Sequence, residues 1–312
     1  MYKTLMLKKF QQTFKNPIKF EGIGLHTGKI SNVTIFPGEN DQGIIFKRVD
    51  LKNKNIITAN YQNVTAARLC TTLENKDGVK VSTVEHLLAA LYIFGIDNAF
   101  IEIDNEEVPI LDGSSKVFID LFEKAGLRKL SKKRKYLKIL DKVELIDGDK
   151  SIMIEPSETL KVSFTLNYEN KIIGNQKNLV DFHKDNLANI YSSRTFCLFK
   201  DIEKIKKNGL AKGGSLDNAI VVDDENILNS KGLRNEKEFV NHKILDLSGD
   251  FLLSGYRILG KVTCYQGGHE LTNRFLEKLF NTKLAYTSFQ IKDPEISKKI
   301  NSDQTIKIAV NA

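Results

Sequence analysis

The chain is 312 residues long, 41% hydrophobic, with a formal net charge of +8. That length suits two domains or one large one with real cores, and the charge suits either an anionic partner or a surface that is merely basic. Three cysteines (Cys70, Cys197, Cys264) are too few and too scattered for a disulfide framework or a Cys-rich zinc module, and they fit a reducing cytoplasm. The first residues, MYKTLMLKKFQQTFKN, have no continuous apolar core of a secretory signal. No apolar run approaches the ~20 residues that cross a bilayer, so a soluble protein without stable membrane insertion is expected.

In chain order, residues 10–36 read as strands around Phe20-Glu21-Gly22-Ile23-Gly24-Leu25-His26-Thr27-Gly28. Such dense glycine lets the backbone turn sharply or approach a ligand closely; a lone loop histidine is more often solvated than functional, and the glycine frame raises His26 to a candidate substrate contact. Ile30 to Phe36 and Gly43 to Val49 alternate as half-buried strands. Val81 to Tyr92 reads as a helix with Ser82 as N-cap and Glu85 closing a capping box; Gly95 ends it. A strand from Asn98 to Asp104 follows, then a second helix capped by Asp112 to Ser115 and running through Glu123. Residues 128–138, RKLSKKRKYLK, are a charge run without an apolar face. As an RNA-binding patch the run lacks interleaved aromatics beyond Tyr136, so it is expected as a solvated linker, and no nucleic-acid partner is expected.

The second half begins with strands at Tyr136 to Ile146, Ile152 to Pro156 and Leu160 to Leu166, with a turn at Asp147-Gly148-Asp149. Residues 170–190 read as polar and irregular. A helical piece from Asp201 to Asn208, a strand from Ala219 to Val222, a helix from Glu236 to Phe251, a strand from Tyr256 to Tyr265 and a helix from His269 to about Phe280 complete the chain. The two halves echo one another in layout, which predicts two similar α+β units packed face to face with the chemistry at their junction.

His242 and Asp246 stand four apart on a predicted helix, hence on one face, as half of a metal site. Glu85-His86, on the other strongly helical segment, is the best source of the third ligand and of an adjacent base. Three protein ligands and an open fourth position describe a catalytic Zn²⁺, one per chain; the same ligands accommodate Fe²⁺. Glu85 becomes a candidate general base, His269 a candidate general acid oriented by Asp250, and Lys243 and Thr195 candidate oxyanion stabilisers. The chemistry is hydrolysis of an amide or ester.

These stretches, together with Pro109 to Ser114, Ser193 to Phe196, Asp217 to Ala219, Gly232 to Arg234 and Gly268-His269, follow in an order that resembles the bacterial UDP-3-O-acyl-N-acetylglucosamine deacetylases nearly end to end. The resemblance implies an α+β fold of two domains, 1–130 and 131–312. Each is a sheet with two helices, packed helix layer to helix layer around the active site. It implies zinc on His86, His242 and Asp246, an acylated UDP-amino sugar as small-molecule substrate, and a role in lipid A biosynthesis. It also implies an acyl-binding insert around 195–214 that uses Phe196, Ile202, Leu210, Ala211 and Gly214. A zinc amidase for another small substrate, such as a peptide, is the alternative. Gln266 stands where the family pattern has Lys or Arg, which weakens a diphosphate contact there. Cys70 is expected as a small neighbour of the metal rather than a ligand, His183 as solvated, and the chain as a monomer.

Overall fold

The computed structural model describes residues 7–66 and 69–292. Six residues of the charged N-terminal stretch, and residues 293–312 at the end of the expected second domain, lie outside the described residues. The first half is built on five strands in the spatial order Ile18–Ile23, Ile30–Pro37, Ala99–Ile103, Ile44–Arg48 and Ile56–Thr58. Alternate residues of these strands face the core: Val33 and Ile35 in one, Ile44 and Phe46 in another, as a period of two requires. Helix α1 (Glu85–Phe94) and helix α2 (Lys116–Ala125) belong to this half. Phe118 of α2 meets Phe20 edge-on at 5.4 Å, and Phe122 meets Phe14 at 4.8 Å.

The second half is built on seven strands around Arg257–Tyr265, which pairs in parallel with Tyr136–Ile139 and Leu160–Asn167 and antiparallel with Lys150–Glu155. Four helices follow there: α3 (Ala188–Tyr191), α4 (Phe199–Lys207), α5 (Glu238–Leu252) and α6 (His269–Asn281).

α1 is buried from Glu85 through Tyr92, and α5 is buried at every position except Lys243. A helix enclosed on every side belongs between two layers, and these two pack on each other. Their approach depends on Gly249, where a Cβ would stand 2.2 Å from the Glu85 carbonyl oxygen and 3.0 Å from the Ala89 nitrogen. The structure is thus mixed α+β with helix packed on helix between the sheets, as the sequence predicts.

Several local expectations need correction. The charge run expected as a linker is a strand over Leu127–Lys133, antiparallel to Phe10–Phe14 with Gln12 opposite Lys129. Its side chains are largely exposed, but its backbone hydrogen bonds go to a partner far back in the sequence. Tyr136, its one aromatic, is buried and stacked on Phe289 at 5.5 Å, with little face for a base. The strand expected over Tyr136 to Ile146 is two, broken after Ile139. The irregular stretch 170–190 contains the strand Asn175–Asp181, whose polar alternation is that of an outer strand on Leu160–Asn167. Ser82 does not cap α1, which begins at Glu85 without a side-chain cap; instead the Ser82 hydroxyl donates to the Glu106 carbonyl at 3.1 Å. Ser115 does not cap α2 either, and its hydroxyl donates to the His86 carbonyl at 2.7 Å.

Candidate active site

Two buried imidazoles face each other across the α1–α5 contact. The rings of His86 and His242 lie 5.0 Å apart at 81°. His242 Nε2 is 3.3 Å from Asp246 Oδ1, and His86 Nε2 is 3.6 Å from the same oxygen. One ligand atom from each of the three residues falls within 4.8 Å of the others. His242 Nδ1 lies 3.1 Å from the Ser193 carbonyl. A carbonyl only accepts, so Nδ1 carries the proton and Nε2 turns its lone pair inward. Asp246 Oδ1 is buried with no hydrogen-bond partner among the described residues. An orphaned carboxylate oxygen between two imidazole nitrogens is a costly arrangement that a cation relieves, so the residues fit a divalent metal. Burial opposes the charge on Asp246, but His242, Lys243, His269 and His86 outweigh it and hold its carboxyl well below the usual range. Burial, with the neighbouring His242, pushes His86 down to about 3, so its imidazole is neutral, the form that ligates.

Glu85 sits beside this trio. Its Oε2 accepts the Thr71 amide at 2.9 Å, and Oε1 lies 3.8 Å from His269 Nε2. Burial raises its carboxyl to about 7; His269 opposes the rise and Asp246 adds to it. His269, at the first position of α6, has Nδ1 2.8 Å from Asp250 Oδ2. Burial lowers its basicity, yet Asp250 and then Glu85 more than offset that, raising it to about 10. The Thr71 hydroxyl donates to Asp250 Oδ1 at 2.7 Å. Thr71 therefore ties the partner of the acid candidate to the base candidate. Sequence reasoning missed it, because a threonine outside any helix or motif gives no signal; its proximity to Cys70 was the only clue.

Lys243 donates to Asp246 Oδ2 at 3.0 Å, and its ammonium lies 5.6 Å from the Phe196 ring centroid. Burial works against that charge, and Asp246 raises it above its ordinary value. Two hollows lie beside the trio's neighbours. One, of about 400 Å³, is apolar and lies against α4; Phe196, Ile202, Ala211, Gly214 and His26 line it. The other, of about 580 Å³, is polar and includes Lys243, His269 and Gln266. Thr195 and Phe196 line both. Leu210 does not line the apolar hollow; it follows the end of α4, where its amide donates to the Ile205 carbonyl at 3.2 Å. Both His26 ring nitrogens are buried without hydrogen-bond partners among the described residues, while its amide donates to Glu107 at 2.8 Å. Glu107 also accepts from the Thr27 amide and hydroxyl and from Thr83, fixing the glycine loop. Gln266 exchanges hydrogen bonds with the Asn167 backbone, so its amide is already engaged. Cys70 is half-buried, and burial with nearby Glu85 pushes its thiol up to about 11, so it stays protonated. His183 is exposed and borders a separate hollow with Arg134 and Arg257.

The UDP-3-O-acyl N-acetylglycosamine deacetylase family model (LpxC) matches residues 11–281. A UDP-3-O-acyl-N-acetylglucosamine deacetylase of Geotalea uraniireducens (strain Rf4) is 42% identical over 287 residues, covering 92% of this chain and 93% of the relative. One from Saccharophagus degradans (strain 2-40) is 44% identical over 290 residues, covering 92% and 95%. One from Geobacter sp. (strain M21) is 43% identical over 279 residues, covering 89% and 91%. With a family match across most of the chain and relatives aligned nearly end to end, the chain belongs to the UDP-3-O-acyl N-acetylglycosamine deacetylase family.

Proposed function

We propose that the chain hydrolyses the N-acetyl group of a UDP-3-O-acyl-N-acetylglucosamine, releasing acetate and the free amine, as an early step of lipid A biosynthesis in the cytoplasm. The observation that carries this reading is the trio His86, His242 and Asp246, flanked by Glu85 and by His269 and Lys243, which line a polar hollow that shares Thr195 and Phe196 with an apolar one. These three residues would hold one divalent ion per chain, with zinc as the proposed metal and iron(II) compatible with the same ligands. When bound, such an ion supplies Lewis-acid chemistry, polarising a carbonyl and lowering the pKa of water to about 7.

In this reading Glu85 takes the proton of the attacking water; a carboxyl raised to about 7 can accept a proton at neutral pH and give it up again. Lys243 and the Thr195 hydroxyl stabilise the negative charge that develops on the acetyl oxygen. His269, kept protonated by Asp250, delivers a proton to the departing nitrogen. Phe196, Ile202, Ala211 and Gly214, with His26 at the glycine loop, hold the acyl chain in the apolar hollow. The polar hollow takes the nucleotide. The working units are residues 1–130 and 131–312, with 195–214 as the acyl-binding insert, and the active form is a monomer.

The test is metal analysis paired with a deacetylation assay. His242→Ala is expected to lose both stoichiometric metal and activity, and retained turnover by a metal-free variant ends the reading. The rate constant kcat/KM is expected to rise with the substrate's acyl chain; a flat dependence points instead to a different small amide.

A further inference from the structure

Helix α4 lies on the surface, and the loop after it returns to the glycine loop, where the Lys212 and Gly213 amides donate to the His26 and Leu25 carbonyls. None of the nine residues of α4 is buried. At 100° per residue Phe199, Ile202 and Ile205 share one face, and all three line the apolar hollow. Lys204 and Lys207 point the opposite way and line neither hollow. From Lys204 to Leu216 the sequence KIKKNGLAKGGSL carries Lys204, Lys206, Lys207 and Lys212 and no acid, and all four lysines are exposed. Large apolar side chains are exposed beside them at the rim of the hollow: Phe199 is 57% exposed, Leu216 48% and Leu228 36%. Exposed apolar groups grouped with lysines, on a helix that contributes nothing to the core, have the chemistry of a surface that rests on an anionic interface.

We propose that this lysine-bearing tip docks reversibly on an anionic phospholipid surface, bringing the mouth of the apolar hollow to the plane where acyl chains reside. The proposal rests on the reading of that hollow as an acyl slot. Its logic is charge complementarity joined to continuity. The lysines meet lipid phosphates, the exposed Phe199 and Leu216 meet the headgroup–acyl boundary, and the hollow opens next to both. A single acyl chain holds a molecule on a bilayer only marginally, so a substrate of this class divides its time between water and lipid. An enzyme that visits the surface meets it in both places. The contact lies in the plane of the interface and depends on the lysines, without a spanning segment; among the described residues no helix is long and apolar enough to cross a membrane.

The experiment uses the full chain in its metal-loaded form. It is sedimented with vesicles of phosphatidylcholine alone and of equal parts phosphatidylcholine and phosphatidylglycerol, at low and high ionic strength. The expected result is binding to the anionic vesicles alone, released by salt, and weakened at least about tenfold in the double variant Lys204→Glu/Lys207→Glu. The same variant should keep the wild-type Tm and deacetylate a water-soluble short-acyl substrate at the wild-type rate. Binding to neither vesicle, equal binding to both, or binding unaffected by the double variant overturns the proposal. So does capture of an acidic protein by this tip without any affinity for vesicles. If a long-acyl UDP-3-O-acyl-N-acetylglucosamine is untouched by wild-type enzyme, the proposed function fails, while the vesicle measurement still decides the docking surface.

Discussion

At the scale of single residues, the site depends on groups that set the charge of others. Asp250 holds His269 at Nδ1, and Thr71 holds Asp250 in turn. Asp250→Asn removes the charge that most raises the basicity of His269. The imidazolium then gives up its proton at lower pH, so the basic limb of the kcat/KM profile should move down by at least about one pH unit; an unmoved limb separates His269 from that limb. Thr71→Val keeps the shape and the backbone amide but leaves Asp250 Oδ1 short of a partner, at a cost of about 1–3 kcal/mol. Rate assays should register it in kcat more than in KM. Strain gathers at the same place. Thr83, two residues before Glu85, has φ +56°, unusual for a β-branched residue, and its hydroxyl is held by Glu107 at 2.8 Å. Glu107 thereby connects the α1 approach to the loop that carries His26.

At the scale of elements, the metal trio depends on how closely α1 and α5 approach. Gly249→Ala places a methyl group 2.2 Å from the Glu85 carbonyl oxygen, and backbone does not yield as a flexible side chain does. The helices must separate, which should lower stability by about 1–3 kcal/mol in denaturant unfolding. It should also weaken metal affinity in a chelator competition, because His86 rides on one helix and His242 and Asp246 on the other. Wild-type metal affinity in that variant counts against the coupling. The helices that bear the candidate residues were legible in advance: α1, α5 and α6 begin within four residues of their expected starts, because apolar residues at helical spacing mark them directly. Their caps were not legible. Ser82, Glu85 and Ser115 all have local capping geometry in the sequence, but each finds a partner from another part of the chain.

At the scale of the whole molecule, the second half grips the far end of α1. Arg257 donates to the carbonyls of Tyr92 and Ile96, both at 2.6 Å, and Arg134 donates to the Gly95 carbonyl at 2.6 Å. Asp97 accepts from both guanidinium groups. These cations satisfy carbonyls that a helix C-terminus leaves without intrahelical partners. Arg257→Ala strips a buried charge from that set and should cost about 3–5 kcal/mol. If the halves are coupled through α1, urea unfolding followed by circular dichroism and by tyrosine fluorescence should still show coincident transitions, shifted together. Separate transitions would mean that α1 does not couple them.

The sequence alone determined which side chains are candidate reacting groups and the period of the elements that carry them. The spacing of His242 and Asp246, the adjacency of Glu85 and His86, and the glycine frame of His26 are properties of short segments, and local backbone geometry expresses them directly. Tertiary structure decided everything that depends on a partner distant in the chain. It made a basic run into a strand by supplying Phe10–Phe14, and it placed Thr71 under Asp250. It left Leu210 off the wall of the apolar hollow and set Gly249 against Glu85. The physical reason is that hydrogen-bond satisfaction and close packing are met by whichever group the fold brings near, and a one-dimensional pattern records what a residue can offer but not which neighbour will take it.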